Sequence, residues 1–143
     1  MTHLLEVSEE NTSAQGLNGL SLAFIGDSVF EILVREHLLE NGSMPVGKLH
    51  SLAVKVVNAS AQARFFDLLE PLLSEEETSA LHRGRNASAT HVPKGAYAIE
   101  YRKATGLEAL FGWLYLKGQN ERLRELFDVI LAKLSEEVED GHE

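Results

Sequence analysis

The chain has 143 residues, a formal net charge of −9 and no cysteine. This length suits a single domain with a sizeable core, and the lack of cysteine excludes disulfides, thiolate zinc sites and cysteine nucleophiles. No run approaches the roughly 18 apolar residues of a membrane span. The polar, acidic segment 1–16 lacks the pattern of a signal peptide, so we expect a cytoplasmic protein.

The first half of the chain predicts three helices. Apolar residues recur at helical spacing over 18–39, and Asn41-Gly42 ends this helix. A second helix is expected over 45–57. A third, capped by Asn58 or Ser60, is expected to run to about residue 69, before Pro71.

The second half predicts three more helices and a loop. Ser74 and Glu77 have the spacing of a capping box for a helix to about residue 83. Segment 84–95 reads as a loop, and 97–117 as a helical region bent near Gly106. Gly118 and Asn120 then separate it from a last amphipathic helix over 121–138. Because no segment shows sustained strand alternation, we predict an all-α single domain over 17–138 behind a flexible acidic segment, 1–16.

Two of these apolar helical segments each carry a carboxylate where a core residue is expected. Asp27 lies in the first helix and Glu108 in the fifth. An ionised carboxylate is expensive to bury unless it is paired, hydrogen-bonded or bound to a metal. Two such helices side by side would bring the carboxylates together, which favours a Mg²⁺ site. The spacing alone fits a solvated polar stripe equally well.

Four segments carry a resemblance to a known family. They are 24–29 (FIGDSV), 83–87 (RGRNA), 101–105 (YRKAT) and 107–116 (LEALFGWLYL). In this order and spacing they resemble the ribonuclease III catalytic domain, and they are most similar to its small bacterial Mini-III branch. The resemblance covers about residues 17–131, which is most of the chain.

The resemblance implies a ribonuclease III-type helical fold and a Mg²⁺-dependent endoribonuclease, in which Mn²⁺ can substitute. It implies hydrolysis of phosphodiester bonds in double-stranded RNA by a homodimer. Asp27 and Glu108 match the family's catalytic, metal-binding carboxylates. The implied substrate is a precursor of large-subunit ribosomal RNA, which would give the protein a role in ribosome biogenesis.

The sequence departs from the larger members of that family at three positions. Leu20, Ala23 and Thr105 stand where those enzymes hold further acids. Magnesium commonly binds through one or two carboxylates and keeps several waters, so the chemistry survives this loss. The alternative is a non-catalytic RNA-binding or ribosome-assembly module that keeps the fold. Glu31, one turn beyond Asp27, is either a second-sphere support of the site or a plain structural residue.

We expect no separate double-stranded-RNA-binding domain after the catalytic segment, which would leave the catalytic domain itself to hold the substrate that the resemblance implies. A net negative charge argues against a generic nucleic-acid binder, but the stretch 83–103 is locally basic. We predict RNA contacts from this stretch, and a solvated surface is the alternative. Its cations are Arg83, Arg85, Lys94, Arg102 and Lys103.

The first helix has more apolar and small surface than one chain of this size readily buries. Exposed patches of that kind mark interfaces. We therefore predict a two-fold homodimer with this helix near its axis. The residues of the expected surface are Leu20, Ala23, Phe24, Gly26 and Phe30.

Overall fold

The structure is a computed structural model that describes residues 16–87 and 95–140. Within these ranges the chain is all α-helical, which confirms the predicted fold class. A short 3-10 turn over Glu70–Leu72 interrupts the succession of α-helices. The helices are α1 (Gly19–Leu39), α2 (Val46–Val56), α3 (Ala59–Leu69), α4 (Glu75–Arg85), α5 (Ala96–Leu116) and α6 (Asn120–Asp140).

Side-chain caps define where three of the helices begin. The Asn18 side chain accepts a hydrogen bond from the Ser21 backbone N–H at the start of α1, at 2.8 Å. Asn58 does the same for α3. Ser74 and Glu77 form both bonds of a capping box at the start of α4. The three caps satisfy N–H groups that a helix leaves unpaired, and each confirms a predicted helix start.

The structure corrects several predicted boundaries. Helix α4 continues to Arg85, so Gly84 is helical and the predicted loop begins later. Helix α5 is continuous through Gly106, where the predicted bend gives way to close packing against the backbone of Leu81. Helix α6 begins at Asn120, which was expected to precede it. Segments 1–15 and 88–94, with most of the predicted loop, lie outside the described residues.

Helix α5 is the centre of the fold, with α1, α3 and α4 packed around it. A group of buried phenylalanines joins the helices. The ring of Phe30 lies 6.3 Å from Phe65, 5.4 Å from Phe111 and 6.1 Å from Phe127, measured between centroids. Burying a side chain of this size stabilises the fold by roughly 1.5–3 kcal/mol. This aromatic contact fixes α1, α3, α5 and α6 relative to one another.

A partly buried ion pair joins α4 to α6. Both carboxylate oxygens of Glu77 accept hydrogen bonds from Arg122, at 2.9 and 3.0 Å, and Arg122 also donates to the Leu72 carbonyl at 2.9 Å. Burial by itself would raise the pKa of Glu77. The hydrogen bonds from Arg122 and Ser74 outweigh it and hold that pKa below its usual value. The sequence indicated the helix-capping role of Glu77 but not its partner on α6.

The exposed apolar surface of α1 is smaller than predicted. Phe24 is 84% exposed and Leu20 is 41% exposed. Ala23 and Phe30 are buried in the chain's own core, and Gly26 lies against α5. The expected surface is therefore wrong for these three residues. Over the described ranges, no helix has the length and apolar character needed to cross a membrane.

Candidate active site

Helices α1 and α5 approach each other more closely than side chains normally allow. A Cβ atom placed on Gly26 would collide with the backbone carbonyl of Glu108, and one on Gly112 would collide with the carbonyl of Leu22. The missing Cβ of Gly26 also faces the amide nitrogen of Gly112, and that of Gly112 faces the amide nitrogen of Gly26, so the two backbones meet at these glycines. Glycine at these two positions lets the backbones touch. The contact places Asp27, directly after Gly26, beside Glu108.

The two predicted carboxylates share one site. Asp27 is exposed, whereas Glu108 is partly buried. Burial raises the pKa of Glu108 to about 8, and the charge of Asp27 and a hydrogen bond shared with Asp27 act in the same direction. At neutral pH the raised pKa therefore favours the protonated form of Glu108. Two carboxyl groups this close cannot both ionise easily without a cation between them.

This donor set fits a hard divalent cation. Carboxylate oxygens are the ligands that Mg²⁺ prefers, and Mg²⁺ usually takes one or two of them and keeps several waters. Among the residues that the structure describes, no group of three or more histidine, aspartate and glutamate side chains is placed to hold a metal ion. The site therefore offers two protein carboxylates, and waters would have to complete the coordination of a bound cation.

The structure pairs Glu31 with an arginine of its own helix, whereas a direct role in the site would require contact with the carboxylate pair. Its carboxylate accepts a hydrogen bond from Arg35 on the same helix, at 2.8 Å. The pKa of Glu108 is raised by burial and by Asp27, and Glu31 is not among the causes. The geometry favours the plain structural interpretation of Glu31 as half of an i, i+4 pair on α1.

The predicted RNA-binding cations lie at the ends of α4 and α5, and most make contacts within the chain. Arg83 donates to the Leu17 carbonyl at 3.0 Å, which ties α4 to the start of α1. Arg85 donates to the Asn86 side chain at 3.1 Å. Lys103 forms an ion pair with Asp67 at 2.8 Å.

The ring of Phe66 makes cation–π contacts with two of these cations. The guanidinium of Arg85 lies 5.9 Å from the centroid of its ring, and the ammonium of Lys103 lies 5.8 Å from it. Arg102 is exposed, and Lys94 lies outside the described residues. We call Arg83, Arg85, Arg102 and Lys103 the α4–α5 basic surface. Its contact with RNA stays a prediction.

Two further features of the structure were not predicted from the sequence. Phe66 stacks on His82, whose ring nitrogen contacts Glu70 at 2.5 Å, so the cations on Phe66 belong to a larger cluster. Gln62 is a buried polar residue on α3. A glutamine between Ala61 and Ala63 on an apolar helix face was the available signal for the latter.

The fold and the carboxylate pair define a class of protein, and comparison with known families agrees. A model of the ribonuclease III domain matches residues 20–119. The chain belongs to the ribonuclease III family. This confirms the prediction of a phosphodiester-cleaving endoribonuclease at the level of the family.

Within that family the chain is similar to proteins named Mini-ribonuclease 3. It is 45% identical to the one from Desulfitobacterium hafniense over 127 residues, which is 89% of this chain and 80% of the relative. It is 49% identical to the one from Symbiobacterium thermophilum over 107 residues, covering 75% of this chain and 82% of the relative. The resemblance to the Mini-III branch is therefore confirmed.

A solved structure shares the fold. The X-ray crystal structure of a protein from Fusobacterium nucleatum superposes with a TM-score of 0.74 at 28% identity. The match covers 82% of this chain and 94% of that protein. The helical arrangement around α5 is thus one that an experimentally determined chain also adopts.

Proposed function

We propose that this protein is a Mg²⁺-dependent endoribonuclease that cuts double-stranded RNA, with Asp27 and Glu108 as its metal-binding catalytic residues. The observation that carries the proposal is the backbone contact between α1 and α5, which places Asp27 beside a Glu108 carboxyl group whose raised pKa favours its protonated form at neutral pH. A divalent cation in place of that proton would satisfy both groups at once. Mn²⁺, which accepts the same oxygen ligands, can substitute.

The two carboxylates have different tasks because their surroundings differ. Asp27 is exposed, so it faces the side from which an RNA phosphate arrives. Glu108 is recessed against α1, and its position is fixed by the backbone contact at Gly26. Bound Mg²⁺ would supply an activated water and charge stabilisation for the leaving 3′ oxygen. Glu108 must release its proton before it can act as a ligand, and the close backbone contact between α1 and α5 keeps it within reach of Asp27.

We propose that the enzyme acts as a homodimer joined through the outer face of α1. Leu20 and Phe24 are the exposed apolar residues there, one turn before Asp27 and farther toward the helix start. A two-fold axis at this face would bring two carboxylate pairs onto one duplex. Each pair would then cut one of the two strands.

The α4–α5 basic surface is our candidate for the phosphate contacts. Double-stranded RNA is recognised mainly through its phosphates and 2′-hydroxyls. As the resemblance to the Mini-III branch implies, we propose a precursor of large-subunit ribosomal RNA as the natural substrate. The enzyme would then serve ribosome biogenesis in the cytoplasm.

A cleavage assay on duplex RNA, with Mg²⁺ against a chelator, tests this function. Asp27→Asn or Glu108→Gln should lower turnover about 10³-fold, equivalent to about 4 kcal/mol of barrier. Both variants should still fold, by circular dichroism. Asp128→Asn, which changes an exposed carboxylate on α6, is the matched control and should cleave normally.

Two results would contradict the proposal. Full activity in either carboxylate variant would show that the site lies elsewhere. Duplex binding by the wild-type protein without any cleavage in Mg²⁺ or Mn²⁺ would favour the alternative, a non-catalytic RNA-binding or ribosome-assembly module.

A further inference from the structure

Phe66 on α3 is a buried aromatic residue whose ring two cations approach from two other helices. The residue is only 1% exposed. The guanidinium carbon of Arg85, at the end of α4, lies 5.9 Å from the ring centroid, and the Nζ atom of Lys103, on α5, lies 5.8 Å from it. Both distances are within the roughly 6 Å range of a cation–π interaction. A single ring therefore contacts one cation of α4 and one of α5.

The close packing of α4 against α5 explains why the ring lies between these cations. A Cβ atom on Gly106 would come within 2.8 Å of the Leu81 carbonyl oxygen and within 2.9 Å of Cε2 of Phe66. Glycine at this position lets the ring pack directly on the α5 backbone. Arg85 is one turn beyond Leu81 on α4. Lys103 is nearly one turn before Gly106 on α5, so the ring reaches both cations from the place where the two helices meet.

An aromatic ring holds a cation without cancelling its charge, which a carboxylate partner would do. Arg85 also donates to the neutral side chain of Asn86, at 3.1 Å. Lys103 also pairs with Asp67 at 2.8 Å, but the Asp67 side chain is 58% exposed. Ion pairs this exposed contribute little. A phosphate can therefore replace Asp67 while the ring keeps Lys103 in place.

We propose that Phe66 is a positioning residue for RNA binding, whose ring holds Arg85 and Lys103 in the orientation that meets the phosphates of a duplex. This inference rests on the proposed function, in which the α4–α5 basic surface contacts RNA. Arginine and lysine side chains lose much rotamer freedom when they are ordered. A ring that already restricts them lowers this cost of binding. Phe66 acts through the cations and not by touching RNA, because it is buried.

Duplex binding by Phe66→Leu tests this role. Leucine keeps an apolar side chain in the core and removes the ring. Binding should weaken roughly 3- to 10-fold, as expected for the loss of one or two exposed cation–π contacts. Filter binding in the Asp27→Asn background measures the affinity without cleavage, and circular dichroism shows whether each variant folds. Phe66→Met, a second substitution that removes the ring, should weaken binding to the same extent.

A double-mutant cycle separates positioning from core structure. Because Phe66 acts through the two cations, Phe66→Leu should cause no further loss of affinity in a protein that carries Arg85→Gln and Lys103→Gln. A structural defect would weaken binding equally in both backgrounds. Phe65→Leu is the matched control, since Phe65 is equally buried on the same helix and its ring pairs with Phe30 of α1. It should bind duplex RNA like the wild type.

The outcomes distinguish this inference from the proposed function. Unchanged duplex affinity in folded Phe66→Leu and Phe66→Met, or an equal loss in both backgrounds, would overturn the role of Phe66 and leave the nuclease proposal intact. Loss of folding in both variants would show a structural requirement and would also overturn it. If the protein with Arg85→Gln and Lys103→Gln bound the duplex like the wild type, the proposed phosphate contacts would fail, and the role of Phe66 with them.

Discussion

At the scale of single residues, the chemistry of the site depends on the proton of Glu108. Burial and the neighbouring Asp27 raise the pKa of this carboxyl group to about 8. The group therefore prefers to be neutral at physiological pH, and a metal ion must displace its proton in order to bind. Metal binding and proton release are linked in this way whenever a ligand has to be deprotonated. The apparent affinity for Mg²⁺ is expected to rise with pH until Glu108 is ionised.

The same proton makes the stability of the metal-free protein depend on pH. In the unfolded chain, the pKa of Glu108 returns to its ordinary value of 4.5. Between pH 4.5 and 8 the folded state therefore binds more protons at this residue than the unfolded state does. Its contribution to the free energy of unfolding is complete below the lower value and is lost as the pH rises toward 8.

Urea unfolding in a chelator, repeated from pH 5 to 8, measures this loss. The wild type should become less stable across that range relative to Glu108→Gln, whose side chain does not titrate. Excess Mg²⁺ should restore the wild type at pH 8 and leave the variant unaffected. Parallel stability curves for the two proteins in chelator would contradict the raised pKa.

At the scale of helices, the site depends on two backbones that touch. Gly26 and Gly112 leave out the side chains that would otherwise separate α1 from α5. Because the atom opposite Gly26 is a backbone carbonyl, a new methyl group could be accommodated only by moving a helix. Such a movement would also separate Asp27 from Glu108. Helix packing and the geometry of the site are therefore set by the same contact.

Gly26→Ala tests this dependence. Forcing an extra methyl group into a packed interface typically costs 1–3 kcal/mol, and we expect a loss of about that size in urea unfolding together with a severe loss of cleavage. Gly47→Ala is the control, because Gly47 lies within α2 with nothing near its missing Cβ. That change should stabilise the protein slightly, by up to about 1 kcal/mol, and should preserve cleavage. Equal behaviour of the two variants would rule out the close helix contact.

The sequence predicted those parts of the fold that are decided locally. The caps at Asn58 and Ser74 depend on residues within one helical turn, so their pattern is readable in the chain, whereas the cap at Asn18 was not predicted. Asp27 and Glu108 were found because a carboxylate in an apolar helix is unusual. The unpaired amide of Gln62 was not predicted. That a buried amide has no hydrogen-bond partner can be seen only once the packing around α3 is known.

At the scale of the whole molecule, an apolar patch near the start of α1 is exposed to solvent. Phe24 leaves most of its ring in solvent, and Leu20 lies one turn away on the same side of the helix. Both are close in sequence to Asp27, so a second subunit docked here would border the proposed catalytic site. Because the exposed apolar surface of α1 is narrower than predicted, we expect Phe24 to contribute most of the interface energy.

Light scattering of Phe24→Glu tests the dimer. The charged side chain should shift the protein from dimer to monomer, because an ionised carboxylate would have to be buried in an apolar contact. Ile32→Glu is the control, since Ile32 is also exposed on α1 but lies on a different face. It should remain dimeric. A wild-type protein that is monomeric at micromolar concentration would exclude the proposed assembly.

A protein with a net charge of −9 needs a local positive surface to hold an anionic duplex. We propose that the α4–α5 basic surface attracts the RNA phosphates locally and that the acidic residues elsewhere do not contact RNA. Arg85, Arg102 and Lys103 can be changed together without disturbing the bond between Arg83 and the Leu17 carbonyl. Replacing all three with glutamine should weaken duplex binding and flatten its dependence on salt, since each lost phosphate contact lowers the slope by roughly 0.7–0.9.

Filter binding or anisotropy at several salt concentrations, using the Asp27→Asn background to prevent cleavage, measures both quantities. Metal binding and dimerisation should persist in the triple variant, because neither depends on these side chains. Lys133→Gln on α6 removes a cation far along the chain from this surface and should leave the affinity and the slope unchanged. If the triple variant also kept both, the α4–α5 basic surface would be ordinary solvated surface. The duplex would then have to lie across the other basic stretch of the chain, which contains Lys48, Lys55 and Arg64.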